Sequence, residues 1–537
     1  MTCHQRWTVP AVSVALLVVA GTLHAAPDLV VTTTPAGESD LTLSRRIPIR
    51  GERIELRARI RNDGDEPATD VPIDLTLTDR DGKELTTHRA MIDVKAADST
   101  SIAVEWTPEA NGFYRFSVMI DAEEQIAESD EKNNTASWEF PVVFRRLYFN
   151  KWGADIKDLR YLNMSSVGYY TPEYWHRFGS IALHWAGARI DPDDPEAAKS
   201  YIEHVGKLLG DGYDGIIIDE IGAYAGPGIR KTARMWEGIF QDLRNNHPQM
   251  ELWIWNSGAL RPELAEVYRR AGAIVLLELY EEWFTAAFHT HSFHSYLDLG
   301  ISAARRADLL NLDGSPHATI LCPGVSHYHG GMARDQIEDQ VRYIKKQAPE
   351  APGISFYGGD DEWSVALDSL NGFLDELCLK YYIMPVVTVS PHWIWLSDYG
   401  PVAGDEITVR TRIHNVGAME AREVQVRIYA RRIATNHRRL ISEVALPRIG
   451  VGFVTVEPDE PFEATVENRV PPVTWKSVDG IRVPMRGAPA AVRLDRQIVE
   501  AKWKPETSGH YRLEVEVTPS TQFTLLEGYA EKLLTVR

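Results

Sequence analysis

Between residues 28 and 143, apolar and polar side chains alternate with a period of two. Arg53-Ile54-Glu55-Leu56-Arg57-Ala58-Arg59-Ile60 and Val71-Pro72-Ile73-Asp74-Leu75-Thr76-Leu77 are the clearest runs. That period places successive side chains on opposite faces of a strand. Asn62-Asp63-Gly64-Asp65, Asp81-Gly82 and Ala110-Asn111-Gly112 cut the runs short. Short alternating strands with frequent turns predict an antiparallel β-sandwich. The pattern returns near the C-terminus. Gly404 to Gly417 mirrors Gly51 to Gly64, and Trp503-Lys504-Pro505 with Gly509-His510-Tyr511 mirrors Trp106-Thr107-Pro108 with Gly112-Phe113-Tyr114. Two copies of one sandwich are expected, the second with extra length between Glu457 and Glu500.

From Arg145 to Met384, short apolar runs alternate with amphipathic stretches of helical length. The candidate strands are Leu147 to Asn150, Ser166 to Tyr170, Ile181 to Trp185, Gly215 to Asp219, Leu252 to Asn256, Ile274 to Glu278, Thr319 to Cys322 and Gly353 to Tyr357. The clearer helices run from Pro195 to Leu209, Gly228 to Asn245, Arg261 to Ala271, Arg334 to Ala348 and Ser364 to Tyr382. Eight βα units in this length predict a (β/α)8 TIM barrel. An open doubly wound sheet usually opens on a Gly-rich phosphate turn, and no strand here is followed by one. The fold class expected is therefore multidomain, α/β plus all-β. A central barrel (145–384) is flanked by two Ig-like antiparallel sandwiches (26–144 and 385–537).

Ahead of the first sandwich, Arg6, the apolar run from Val9 to Leu23 and Ala25 before Ala26-Pro27 read as a signal peptide over 1–25. A secreted or periplasmic protein is expected, with no membrane span after cleavage. The net charge of −19 without a basic tract argues against nucleic acid or anionic lipid as a partner. Of three cysteines, cleavage would leave Cys322 and Cys378, either paired or buried as free thiols.

The first sandwich resembles the CARDB type of immunoglobulin-like domain. Gly51, Asn62-Asp63-Gly64, Trp106-Thr107-Pro108, Gly112-Phe113-Tyr114 and Ile126-Ala127-Glu128-Ser129-Asp130-Glu131-Lys132-Asn133-Asn134-Thr135 carry the likeness. The acidic turn could offer a calcium site from Glu128, Asp130 and Glu131, but the leading reading is a solvated hairpin, since its spacing follows no known oxygen-ligand loop.

In a barrel, function gathers where strands end. Here the ends are polar or aromatic: Asn150-Lys151-Trp152, Tyr169-Tyr170, His184-Trp185, Asp219-Glu220, Trp255-Asn256, Glu278 with Tyr280-Glu281-Glu282-Trp283, Ser326-His327-Tyr328-His329, and Tyr357 with Asp360-Asp361-Glu362. Aromatic faces stack on sugar rings and carboxylates bind hydroxyls, so a carbohydrate is the expected partner. The candidate substrate-binding set is Trp152, Tyr170, His184, Trp185, Trp255, Asn256, Tyr280, Glu281, His327, Tyr357 and Asp361.

Glycosidic hydrolysis needs two carboxyl groups, one protonating the leaving oxygen and one attacking or activating water. In Tyr213-Asp214-Gly215-Ile216-Ile217-Ile218-Asp219-Glu220, Asp219 shares a face with Ile217. Asp219 is expected as nucleophile or base and Glu278 as acid, with Glu220 and Glu281 as substitutes. The Asp-Gly-Ile-x-x-Asp-Glu strand resembles the glycoside-hydrolase TIM barrels as a superfamily. Alignment to the DGxDxDxE strand of chitinases puts Ile217 and Ile221 where acids belong. Barrels of the α-galactosidase sort place carboxylates on strands four and six, as Asp219 and Glu278 would be.

His289, His291, His294, His327 and His329 invite a metal reading, but zinc hydrolases need three converging ligands. A metal barrel resembling the amidohydrolases would carry His-x-His after strand one, where Asn150 and Trp152 stand. No metal or cofactor is expected. A secreted glycosidase is the leading reading. A non-catalytic carbohydrate-binding or adhesion protein and a metal-dependent hydrolase are the alternatives.

Overall fold

The computed structural model describes residues 26–33, 39–156, 159–165, 170–221, 228–256, 260–279, 294–310, 318–327, 330–331, 333–358, 367–451, 453–456, 473–478, 481–486, 491–494 and 496–537. The expected signal peptide and most of the expected insertion lie outside these residues.

The central block alternates strand and helix. In chain order it comprises β1 (Tyr148–Lys151), α1 (Pro172–Arg177), β2 (Leu183–Gly187), α2 (Pro195–Gly210), β3 (Gly215–Asp219), α3 (Ile229–Asn246) and β4 (Glu251–Asn256). Then follow α4 (Pro262–Arg270), β5 (Ile274–Leu279), α5 (Ser295–Arg306), β6 (Ala318–Pro323), α6 (Arg334–Gln347), β7 (Gly353–Phe356) and α7 (Leu367–Cys378). Helix α2 begins where local chemistry requires. Asp194 accepts hydrogen bonds from the backbone N–H groups of Glu196 and Ala197, and Pro195 occupies the first helical turn. Helices α1 and α5 were not among the helices expected from periodicity.

The strands form one seven-stranded parallel sheet in the order β2-β3-β4-β5-β6-β7-β1. Alternation divides its side chains. Phe149, Ile216, Ile218, Ile254, Leu277, Leu321 and Ile354 pack outward with helical residues such as Trp236, Leu264 and Ile344. Tyr148, Leu183, Ile217, Trp253, Trp255, Leu276, Ile320 and Cys322 form a second, inner core. The sheet is rolled. Residues of β1 and β4, seventh and third in the order, touch: the rings of Tyr148 and Trp253 lie 4.8 Å apart.

Between the edge strands β1 and β2, residues 163–165 act as a bridge. Asn163 N–H donates to Phe149 O at 3.2 Å, and Asn163 Oδ1 accepts from Phe149 N at 2.9 Å. On the other side, Ile181 N donates to Asn163 O and Ser165 N to Ile181 O, at 2.9 and 3.0 Å. The second expected strand began at Ser166. Residues 166–169 lie outside the description, and the pairing seen falls just ahead of them.

Before the central block, two four-stranded sheets enclose a core that includes Leu56, Ile60, Ile73, Leu75, Phe116 and Phe140. After it, a five-stranded and a four-stranded sheet enclose Val409, Ile413, Val426, Ile428 and Leu513. The two sandwiches repeat their chemistry residue by residue. Buried Asn62 donates to Glu66 O at 2.7 Å and accepts from Gly64 N at 3.0 Å. Buried Asn415 donates to Met419 O at 2.7 Å and accepts from Gly417 N at 3.1 Å. Tyr114 OH donates to Ala110 O, and Tyr511 OH to Thr507 O.

The acidic turn folds on itself. Glu131 accepts from Glu128 N, Asp130 from Lys132 N, and Glu128 from Asn134 Nδ2. Cys322 and Cys378 are both free and buried, one in the inner core and one in the outer.

Candidate active site

The alternation that builds the inner core also fixes which strand-end residues face inward. Ile217 faces the interior, so Asp219 does too, and Leu276 carries Glu278 with it. Trp255 belongs to the inner core, with Trp152 and Tyr357 packed against it. The Trp152 and Trp255 rings meet at 5.0 Å in an edge-on pair, and Tyr357 stands 6.1 and 6.5 Å from them.

The register orders these residues in height. Asp219 pairs with Trp255 and Trp255 with Leu276, so Glu278 is two strands round from Asp219 and two residues further up. The same step from Glu278, through Cys322 and Ser355, reaches Tyr357. Starting from Trp185, it passes through Ile217 and Trp253 to Trp255, then to Cys322, then to Trp152. Tilted strands of a rolled sheet bring side chains from alternate strands to one level. Asp219, Glu278 and Tyr357 therefore share an upper level. Trp185, Trp255, Cys322 and Trp152 share the level beneath, where the contact between Trp152 and Trp255 closes a floor. Trp185 is 42% exposed, so this end of the interior opens to solvent.

Asp219 is half-buried, and its carboxyl group has no hydrogen-bond or ion-pair partner among the described residues. Burial, and then the charge of Glu220, push its carboxyl up to about 6. Glu220 leaves the strand with φ of +54°, a left-handed conformation uncommon for a residue with a side chain, and its N–H donates to Trp255 O at 2.8 Å. Glu278 is 6% exposed and lies beside Cys322. Burial, then the negative charge of Glu278, push the Cys322 thiol well up, so it stays protonated and is no nucleophile. Two levels down, Ser355 Oγ donates to Asn150 Oδ1 at 2.9 Å.

Three expected substrate contacts fall elsewhere. His184 follows an inward residue and so turns outward. Its ring lies 4.9 Å from Tyr213 and 6.4 Å from His204 of α2, in the helix layer. Asn256 is buried on the same side as Ile254, again the outer face. Tyr170 stacks on Tyr174 of α1 at 4.4 Å, with Trp175 of the outer core edge-on to it. Tyr280, Glu281 and Asp361 lie outside the described residues, and His327 is described only as backbone. Sequence reasoning missed Cys322 as a member of the floor, though its parity with Ile320 could have placed it there. Among the described residues, no group of three His, Cys, Asp or Glu converges as metal ligands would. His294 instead binds Asp339 at 2.7 Å and stacks on Tyr343.

Residues 26–138 match the CARDB family model. No curated protein sequence matches the chain. Among solved structures, a CARDB domain from Pyrococcus furiosus, in complex with di-metal ions, is 18% identical, covering 22% of this chain and 90% of that one, with a TM-score of 0.18. Glycoside hydrolases cover most of the chain. Bacteroides uniformis β-glucuronidase 2, covalently bound to cyclophellitol-6-carboxylate aziridine, is 12% identical over 95% of this chain and 62% of its own, with a TM-score of 0.29. A Paenibacillus cycloisomaltooligosaccharide glucanotransferase, complexed with cycloisomaltoheptaose, is 7% identical over 87% and 70%, with a TM-score of 0.31. The chain thus spans 62% of the glucuronidase's length.

Proposed function

We propose that the chain is an exported glycoside hydrolase that cleaves a poly- or oligosaccharide. Its site is the open end of a closed (β/α)8 barrel in which residues 163–165 bridge the two edge strands. One observation carries this reading: Asp219 and Glu278, 59 positions apart in the chain, face the same interior at the same level, over an indole floor. A pyranose ring laid on Trp152 would have a carboxyl group within reach on either side.

The environments favour roles opposite to those expected from sequence. A carboxyl held near 6, without hydrogen-bond donors of its own, keeps its proton to a higher pH than an ordinary carboxyl does, so Asp219 is the proton donor. Protonation of the glycosidic oxygen by Asp219 lets the C–O bond break as positive charge develops on the anomeric carbon. Glu278 then attacks that carbon or takes a proton from the attacking water. Glu220 acts on Asp219 through its charge and does not touch substrate. Trp152, Trp185 and Tyr357 hold the ring, and buried Trp255 supports Trp152 from within the core. The sandwiches serve as docked spacers, outside the chemistry.

The test is release of reducing ends from a broad glycan panel by the wild type, Asp219→Asn and Glu278→Gln. Loss of activity in both variants with folding retained supports the reading. Cleavage that survives both substitutions overturns the assignment, and glycan binding without any turnover overturns the enzyme.

A further inference from the structure

Glu278 is the first of four inward-facing side chains that stand in one row across four strands. The register sets Glu278 of β5 beside Cys322 of β6. One residue on from the Leu321–Ile354 pair, Cys322 stands beside Ser355 of β7, and Ser355 pairs with Asn150 of β1. Partners on neighbouring parallel strands point to the same face, about 4.8 Å apart. All four are buried. The inner core around them is apolar, with Leu183, Ile217, Trp253, Leu276 and Ile320. Polar side chains in such a place cost stability unless they are hydrogen-bonded, and the row supplies the bonds. Ser355 Oγ donates to Asn150 Oδ1 at 2.9 Å, and Ser355 also hydrogen-bonds the Cys322 thiol.

These bonds have a direction. With the Ser355 proton given to Asn150, the Ser355 oxygen accepts from the Cys322 S–H. The Cys322 sulfur is then left as an acceptor, and its neighbour in the row can offer a proton only as a neutral carboxyl. At the far end, Asn150 Nδ2 is buried with no hydrogen-bond partner among the described residues. A half-turn of that amide exchanges its oxygen and nitrogen in nearly the same space. Asn150 Nδ2 then donates to Ser355 Oγ, Ser355 donates to Cys322 Sγ, and the Cys322 S–H points at the Glu278 carboxylate. The first direction suits a protonated Glu278 and the second an ionised one. Hydrogen bonds in a chain strengthen one another, and donors aimed at a carboxylate favour its charged form. Resting on the glycosidase reading above, we infer that Cys322, Ser355 and Asn150 are positioning residues whose hydrogen bonds turn over together as Glu278 gains or loses its proton. Being buried, they act through Glu278 and not on the sugar. Among the described residues, the other titratable groups at the level of Glu278 are Asp219 on β3 and Tyr357 after β7, with Glu220 next to Asp219; its own strand adds none.

Two measurements test the row. The first is the acid limb of kcat/KM against pH, where Glu278 must be ionised at the start of the reaction. Cys322→Ala breaks the row at its first link and should move that limb to higher pH by about half a unit or more. Cys322→Ser, whose hydroxyl is the stronger donor, should move it to lower pH, and Ser355→Ala should move it upward by less than Cys322→Ala. The alkaline limb, set by Asp219, should stay in place in all three. A merely structural role would change stability in these variants and leave the acid limb unmoved. The second measurement needs no turnover. The Cys322 S–H stretching band, identified in infrared spectra by its loss in Cys322→Ala, is followed with pH. It should shift through one titration in the wild type and stay fixed in Glu278→Gln. That result in a chain that cleaves no glycan would sustain the row and remove the hydrolase. Glycan cleavage with a pH-independent band and an unmoved acid limb would overturn the row and leave the hydrolase standing.

Discussion

Trp152 and Trp255 come from the seventh and third strands of the hydrogen-bonded order, yet their indoles meet 5.0 Å apart. An edge-on pair at that distance between such distant strands requires the sheet to roll until its faces oppose. The same contact stops the interior from being a pore. It divides the packed lower interior, where Tyr148 meets Trp253, from the acid-lined upper end.

The two indoles should fail in different ways. Trp152 is partly exposed, whereas Trp255 is 1% exposed in the inner core. Trp152→Ala should mainly raise KM, by roughly tenfold, as an aromatic platform is lost. Trp255→Ala should cost about 3–5 kcal/mol of stability through the cavity it leaves. Steady-state kinetics and denaturant melts on the two variants distinguish these outcomes, and similar behaviour in both would refute the division of roles.

Either carboxyl variant should abolish turnover without unfolding the chain. For Asp219→Asn and Glu278→Gln, the expected fall in kcat is at least about a thousandfold, within the range that acid–base groups supply. Asp219→Asn should retain some activity on substrates with activated aryl leaving groups, which need little protonation. Glu278→Gln should not. If the rescue appears in Glu278→Gln instead, the roles are the reverse.

The pH profile carries a sign. Asp219 must be protonated to act as acid and its carboxyl lies at about 6, so kcat/KM should fall as pH rises above about 6. The charge of Glu220 contributes to holding it there. Glu220→Gln should therefore move the alkaline limb to lower pH, while Glu220→Asp should keep most of the elevation. An unmoved limb would show that burial alone sets the value.

Much of this site was legible in the chain because strand ends announce themselves. Apolar runs closing on Asp219, Trp255 and Glu278 marked where the strands of the central sheet end. The repeat was legible as well, since Asn62 and Asn415 stand at matched places and make matched bonds. Parity was not. His184 and Asn256 adjoin Trp185 and Trp255 in sequence, and a shift of one residue sends a side chain to the helix layer. Only the register of neighbouring strands decides which of each pair looks inward. The acid and base roles proposed above could not be read from spacing either, because they depend on desolvation and on what faces each carboxyl.

Stability should run against function at Asp219. Its folded-state pKa of about 6 lies above the ordinary carboxylate value, so the folded chain binds this proton more tightly than the unfolded chain. Stability from this group is present below about pH 4 and declines as pH rises through 6. Above that, the buried charge costs at most about 1–2 kcal/mol once partial exposure to solvent is allowed for. Asp219→Asn should therefore melt higher than wild type at pH 8 and the same at pH 4. A variant that melts lower at pH 8 would mean that the carboxylate is stabilised after all.

The last prediction concerns how the first sandwich is held. Arg46 is buried, and its guanidinium donates to the carbonyls of Ile156, Leu159 and Arg160 at 2.8–3.2 Å. Its own N–H donates to Gly179 O at 2.9 Å. Gly179 has φ of +67°, and a Cβ there would stand 2.4 Å from Leu43 O and 2.6 Å from Arg46 N. Both backbones are fixed, one by a strand and the other by the turn after α1, so neither can yield cheaply. Gly179→Ala should strain the left-handed turn and push the sandwich off the central block, at a cost of about 2 kcal/mol or more. Calorimetry should then resolve an early transition for the sandwich, with glycan cleavage retained below it. One unsplit transition at the wild-type temperature would show that Gly179 does not govern the docking.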